Sequence, residues 1–185
     1  MTPGATTLLN YVGYQAGWFA AVVGAGLQQG EAGALVAWLL IAAHLALTRE
    51  RGLELRLLGV AVLTGLFVET WQLQAGTYQT LSGASATAVP PLWLLALWAQ
   101  FATTFRYSFR RVLARPVAAM LFGALGGPLA FLAGERLGAV ALTAPLWPGL
   151  LRLAIGWAAA LALFAWVARM PRHGDEPRYR NALGR

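Results

Sequence analysis

The residues of this sequence that could do chemistry lie inside or beside long apolar runs, and Glu69 is the most prominent of them. Ionisable side chains are costly in a bilayer, so those that occur there are candidates for function. Glu69 lies about 18 Å along its predicted helix, in the outer half of a core about 30 Å thick. Gln72 follows on the next turn, and Arg136 and Arg152 fall at a similar depth on two other helices. The predicted ligand-binding set is Glu69, Gln72, Arg136, Arg152 and Pro128.

Two interpretations of this set stay open. It could form an outer polar pocket for a lipid headgroup, an ion or a polar solute. Alternatively, Glu69 could pair with Arg152 or Arg136 only to stabilise the packing of the helices. Pro128 belongs to the first interpretation, because proline removes a backbone hydrogen bond and kinks a helix. The carbonyl groups freed at such a kink could line a binding site inside a bundle.

A second group of polar side chains is predicted near the inner side of the membrane, on the first, second and fourth predicted helices. Its residues are Asn10, Tyr14, Gln15, His44, Gln100 and Thr103. His44 lacks the partners that a zinc ion needs, although a single axial bond to a porphyrin is conceivable. We expect instead an interfacial histidine bonded to a neighbouring helix, and we predict no metal and no cofactor.

Familiar catalytic signatures are missing from the sequence. It has no phosphate-binding loop, no metalloprotease helix, no serine-nucleophile elbow and no paired carboxylate motif. It also has no cysteine, which excludes disulfides, thiolate metal sites and a thiol nucleophile. An enzyme of familiar mechanism is therefore not expected.

The elements that must position these side chains follow from the composition. Of the 185 residues, 58% are apolar and only 11% are charged, against about 25% charged in an ordinary soluble domain. The mean hydropathy is +0.59. These values exclude a soluble globular protein, and they exclude a disordered chain, which needs low hydrophobicity. They indicate a polytopic membrane protein.

Six apolar runs are long enough to cross a bilayer, which takes roughly 20 residues. They cover residues 8–27, 32–47, 57–73, 91–109, 116–136 and 148–168. We therefore predict an all-α, six-helix transmembrane bundle. It forms a single domain over residues 1–170, followed by a polar cytoplasmic tail over residues 171–185.

The arginines predict how this bundle is oriented. All 14 basic residues are arginine, and with six helices 12 of them fall on one side of the membrane. The positive-inside rule makes that side cytoplasmic and places both termini there. We expect a multi-pass protein of the bacterial inner membrane. The net charge of +7 then reflects topology rather than binding of nucleic acid.

Small residues recur at a spacing of four on the first and fifth predicted helices. The predicted helix-packing residues are Gly13, Gly17, Gly123, Gly127 and Gly134. Helices in lipid associate by close packing, and small residues let their backbones approach. These seams predict tight packing inside the bundle, or else a homodimer face.

Three stretches together resemble a known family: NYVGYQAGW at 10–18, PLWLLALWAQFATT at 91–104 and GALGGPLAFLAGERLGA at 123–139. The family is a bacterial inner-membrane one, catalogued only as the domain of unknown function twenty-eight seventy-eight. The resemblance implies no known activity and no catalytic residues, and it places the family's usual acidic residue of the third helix at Glu69. Family members are often encoded beside cyclopropane-fatty-acyl-phospholipid synthase-like proteins and amine-oxidase-like flavoproteins, which implies a link to membrane-lipid modification.

Three functional hypotheses follow. The first is a protein that binds or translocates a lipid or another amphiphile through the outer polar pocket, with membrane lipids as partners. The second is an enzyme or accessory subunit in membrane fatty-acyl modification, with His44 and Glu69 as acid–base groups, although their different depths argue against one shared site. The third is a structural subunit of a larger membrane complex, with the glycine seams and tryptophans as its contact surface.

Overall fold

The computed structural model describes residues 3–81 and 89–169. Within these ranges the chain is helical apart from one pair of three-residue strands. The elements are α1 (Pro3–Gly26), α2 (Gly30–Leu47), α3 (Arg51–Gln74), β1 (Tyr78–Thr80), α4 (Leu92–Ala102), α5 (Arg110–Leu113), α6 (Pro116–Arg136), β2 (Val140–Leu142) and α7 (Leu146–Val167). The polar tail predicted over residues 171–185 lies outside the described residues.

The helices are compatible with a membrane protein. Among the described residues, α2, α6 and α7 are long and apolar enough to cross a bilayer. The helices α1 and α3 are longer still, with 24 residues each, which corresponds to about 36 Å at 1.5 Å per residue. Their many exposed leucine, valine and phenylalanine side chains are expected for surfaces that face lipid.

Two helices differ from the sequence prediction. The fourth ends at Ala102 instead of continuing to residue 109, and turns lead from it into the short α5. The hydroxyl groups of Thr103 and Thr104 donate to carbonyl oxygens three residues earlier, and such local bonds compete with the helical pattern. The third helix begins at Arg51 rather than near residue 57, and within this added part Glu54 is buried against the bundle.

One end of the bundle carries most of the described arginines, and we call it the arginine end. It comprises the start of α1, the connection between α2 and α3, residues 103–115 and the end of α7. Asn10 donates from Nδ2 to the carbonyl oxygen of Thr103 at 2.9 Å. Arg169 donates to the carbonyl oxygen of Ala114 at 3.1 Å. The helices α1, α3 and α6 therefore leave this end, and α2, α4 and α7 return to it.

The opposite end, which we call the strand end, is built from helix termini and the two strands. At Gln28, Gly76 and Gly138 the chain is left-handed, with φ of 62°, 63° and 76°. Each of these residues follows a helix whose last carbonyl groups accept hydrogen bonds from the next two backbone N–H groups, as in a Schellman motif. Such a turn sends the chain sharply back toward the bundle.

The strands β1 and β2 pair antiparallel, with Tyr78 opposite Leu142 and Thr80 opposite Val140. This pairing was not expected from the sequence, because three-residue strands carry no clear periodicity. It joins two similar units, α3–β1–α4 and α6–β2–α7. In each unit a helix ends at a left-handed glycine, a strand follows, and a proline precedes the next helix.

Glycine faces set the closeness of several helix pairs. A methyl group at Gly17 would overlap the side chain of Gln100, and one at Gly123 or Gly127 would overlap Trp157. Gly17 on α1 therefore packs against α4, and Gly123 and Gly127 on α6 pack against α7. Gly134 is looser, because a methyl group there would lie 3.6 Å from Val140 Cγ2, and a methyl group at Gly13 would have nothing within 4 Å.

Candidate functional site

Glu69 is fully buried near the end of α3, where it accepts two hydrogen bonds from uncharged donors. The hydroxyl of Tyr78 donates to Oε2 at 2.7 Å, and the indole Nε1 of Trp98 donates to Oε1 at 3.0 Å. Tyr78 comes from β1 and Trp98 from α4, so the carboxylate ties three elements together. Among the described residues, neither Arg152 nor Arg136 forms an ion pair with Glu69.

The hydroxyl of Tyr78 remains a donor at neutral pH. Burial raises the pKa of Tyr78 above its ordinary value, and the negative charge of Glu69 raises it further. Both effects disfavour the phenolate, since a buried anion beside another anion is unstable.

Gln72 and Arg152 meet at the same end through Thr77. Gln72 donates from Nε2 to the carbonyl oxygen of Arg152 at 3.0 Å, and it accepts from the Thr77 hydroxyl at 2.8 Å. The Nε of Arg152 donates to the same threonine oxygen at 2.9 Å. The structure thus brings Glu69, Gln72 and Arg152 to one end of the bundle, where their side chains are hydrogen-bonded within the protein. Arg136 is exposed at the end of α6, and Pro128 lies within α6, which continues through it as an α-helix.

The arginine end holds a second buried carboxylate that sequence reasoning missed. Glu54 is fully buried, and its Oε1 accepts from Nη1 of Arg106 at 3.0 Å. The other guanidinium nitrogen of Arg106 lies 2.7 Å from Oε2 of the exposed Glu50. His44 Nε2 lies 3.3 Å from Oε2 of Glu54, and its ring meets the edge of Tyr107.

A signal for Glu54 was present in the sequence. The buried residues of α3 recur at helical spacing along one face, and this face begins with Glu54 and includes Glu69 and Gln72. Extending the apolar stripe of the third helix back by one turn would have placed Glu54 on it. Its partner Arg106 could not be found in this way, since the contact depends on the early end of α4.

The second predicted polar group is divided by the fold. Asn10, Gln100 and Thr103 join α1 to α4: Asn10 bonds to the Thr103 carbonyl, and Gln100 donates to the Gly13 carbonyl at 3.1 Å. Ser108 completes this group by donating to Asn10 Oδ1 at 2.7 Å. His44 belongs instead with Glu54. Tyr14 and Gln15 border the cavity described next.

A cavity of about 420 Å³ lies between α1, α4, α6 and α7. This is within the range of roughly 300–1,000 Å³ typical of small-molecule sites. Aromatic rings and the glycine face of α6 form most of its wall, including Trp18, Trp98, Phe101, Gly126 and Trp157. Glu69, Gln72, Arg136, Arg152 and Pro128 do not line it.

Trp98 links this cavity to the Glu69 network. Its indole N–H is held by Glu69, and its ring stacks on Trp157 with centroids 4.5 Å apart. Gly65 on α3 packs directly against the five-membered ring of this indole, where a methyl group would overlap it. The buried carboxylate therefore positions one wall of the cavity without touching its interior.

Two polar groups in the cavity wall have no hydrogen-bond partner among the described residues. They are the indole N–H groups of Trp93 and Trp157. Buried polar groups are nearly always bonded. Unpaired donors in the wall of a cavity are therefore candidates for contacts with a ligand.

Comparison with known proteins identifies a family for this chain but no similar curated protein or solved structure. No curated protein and no solved structure matches the chain. One family model, described as a protein of unknown function (DUF2878), matches residues 7–163, which is most of the 185 residues. The match agrees with the resemblance that the three sequence stretches carry. The chain is a member of the DUF2878 family.

Proposed function

We propose that this protein crosses the membrane six times and binds a lipid or similar amphiphile in the cavity between α1, α4, α6 and α7. The single observation that carries the binding proposal is this cavity, with its aromatic and glycine wall inside the helical bundle. Apolar pockets with a few convergent polar groups are the usual form of small-molecule sites.

The orientation follows from charge. Eight of the described arginines lie at the arginine end, against Arg136 and Arg152 at the strand end. The positive-inside rule favours a cytoplasmic arginine end, so we propose that both termini are cytoplasmic and that the membrane is the inner membrane of a bacterium. The spans are then α1, α2, α3, the segment from α4 through residue 109, α6 and α7.

The site differs from the outer polar pocket expected from the sequence. The network of Glu69, Gln72 and Arg152 supports the proposal indirectly, because it positions Trp98 and ties α3 to α7. His44 and Glu69 interact with different partners at opposite ends of α3. This separation gives no support to a shared acid–base centre for fatty-acyl chemistry.

Gentle release from the membrane followed by native mass spectrometry tests the binding. We expect a discrete additional mass in the lipid range on the wild-type protein. Ala130 lines the cavity from α6, so Ala130→Phe should fill part of it and remove the added mass. Ala159 is exposed on α7 and does not line the cavity, so Ala159→Phe is the matched control and should keep it.

Two results would contradict the binding proposal. One is an added mass that persists unchanged in Ala130→Phe, because the ligand would then lie elsewhere. The other is a bare protein in wild type and in both variants, released under conditions that preserve lipid adducts on other membrane proteins.

The topology has its own test, which the absence of cysteine makes clean. Gln29→Cys at the strand end and Arg111→Cys at the arginine end both change exposed residues. In intact spheroplasts, a membrane-impermeant maleimide should label only the first, and both should react after lysis. Labelling of Arg111→Cys in intact spheroplasts would reverse the orientation.

A further inference from the structure

The cavity wall carries no charge. None of the side chains that line it is Asp, Glu, Arg or Lys among the described residues. The ionisable groups near its strand end are engaged within the protein: Glu69 with Tyr78 and Trp98, and Arg152 with Thr77. Arg110 and Arg111, just beyond its arginine end, are exposed and do not line it. A phosphate or carboxylate placed among the lining side chains would have no counter-ion there, which is unfavourable in an apolar site.

The polar groups that do line the cavity are uncharged, and those outside the indoles lie toward its arginine end. They are Tyr11, Tyr14, Gln15, Thr104 and Ser108. Thr104 and Ser108 use their hydroxyl groups within the protein, on the Phe101 carbonyl and on Asn10. The side chains of Tyr14 and Gln15 form no hydrogen bond within the described part of the chain, so they are available to a ligand.

The cavity is elongated, and its polarity changes along its length. On α1 it extends from Tyr11 to Val22, which is about 16 Å at the helical rise. Beyond Gln15 the lining becomes aliphatic and aromatic and ends at Phe131 and Val140 near the strand end. A molecule with one hydrogen-bonding end and a long apolar part matches this order.

We propose, building on the proposed lipid site, that the occupant is an uncharged lipid with a carbonyl or hydroxyl group and a single long apolar chain or ring system. Its polar group bonds to Tyr14 and Gln15, and its apolar part extends between Trp18, Trp157 and the glycine face of α6. We therefore expect phospholipids and ionised fatty acids to bind more weakly than an uncharged lipid.

Three probes with the same sixteen-carbon chain test the head group. The purified full chain in detergent is titrated with hexadecanol, palmitate and hexadecyl phosphate, well above the ordinary carboxyl pKa, and adducts are measured by native mass spectrometry. Hexadecanol should bind at least about tenfold tighter than either anion, since the anions lose their hydration without gaining a counter-ion.

Two variants extend this test. Tyr14→Phe should weaken hexadecanol several-fold, because it removes a hydrogen bond and little volume. Gln15→Arg should shift the preference toward palmitate, because it places a cation at the polar end of the cavity.

The outcomes separate the two proposals. Anions that bind as tightly as hexadecanol, with all binding lost in Ala130→Phe, would overturn the uncharged ligand and leave the cavity as the site. Hexadecanol binding that survives Ala130→Phe unchanged would instead remove the cavity as the site, and the proposed function with it.

Discussion

Two fully buried carboxylates on one helix are stabilised in different ways. Glu54 at the arginine end has the guanidinium of Arg106 at 3.0 Å and His44 at 3.3 Å. Glu69 at the strand end has only the uncharged donors Tyr78 and Trp98. The two residues lie 15 positions apart on the same face of α3, or about 22 Å along it.

The contrast indicates how each end of the bundle is held. At the arginine end, α4 ends early, and the segment after it brings the flexible side chain of Arg106 to Glu54. Together with His44, these residues join α2, α3 and the segment after α4. At the strand end, two rigid aromatic side chains hold the acid, and one of them forms a wall of the cavity. We therefore expect changes at Glu54 to act mainly on stability, and changes at Glu69 to act on stability and on the cavity together.

The largest expected effect is at the arginine end. Glu54→Gln should lower the free energy of unfolding by about 3 kcal/mol, because it leaves Arg106 half-buried beside an uncharged group. Denaturant titration in detergent, followed by circular dichroism, measures this loss. Glu50→Gln is the control: the Glu50 side chain is 47% exposed, so breaking its pair with Arg106 should cost less than about 1 kcal/mol. Equal losses in the two variants would refute the assigned role of burial.

An intermediate loss of stability is expected at Gly65, which lies between Glu54 and Glu69 on α3. Gly65→Ala should destabilise by about 2 kcal/mol, because the new methyl group overlaps the indole of Trp98. The displaced ring should also weaken lipid retention in the same native mass spectra. Gly59 on the same helix has nothing within 4 Å of its methyl position, so Gly59→Ala should be neutral or stabilising by up to about 1 kcal/mol. A stabilising Gly65→Ala would contradict the packing described for Trp98.

The smallest effect is expected at the strand end. Tyr78→Phe should cost about 1.5 kcal/mol, because Glu69 loses one of its two donors while the ring still packs on Phe131. The double variant Tyr78→Phe with Glu69→Gln should be less destabilised than the sum of the single variants, since both remove the same bond. Strict additivity in unfolding titrations would show that the two groups do not interact in solution.

Much of the architecture was predictable because lipid imposes strict rules on a chain. Apolar runs near 20 residues must become helices, so α1, α2, α6 and α7 appear within a few residues of their expected positions. The segment after Ala102 was predicted to be helical and is not, because the hydroxyl groups of Thr103 and Thr104 bond to local carbonyl oxygens. The strand pair was not predicted either, since such short strands pair only when the ends of two helices bring them together.

The candidate site was less predictable, because its parts come from distant stretches of the chain. Depth along a helix placed Glu69, Gln72 and Arg152 at one end, but it could not show that Thr77 stands between the last two. Tyr14 and Gln15 were recognised as polar residues of the first helix. Their place beside a cavity depends on how α1, α4, α6 and α7 leave space between them.

The helical segments and the unequal distribution of arginine could be read from the linear chain, because hydropathy and charge act locally and need no knowledge of neighbours. Which buried acid meets a cation and which meets aromatic donors followed from tertiary packing. The same packing set where glycine residues permit close contact and where the helices leave a cavity between them. Those outcomes depend on contacts between residues far apart in the chain, such as Arg106 with Glu54 and Trp98 with Glu69. The spacing of side chains within one helix does not predict such contacts.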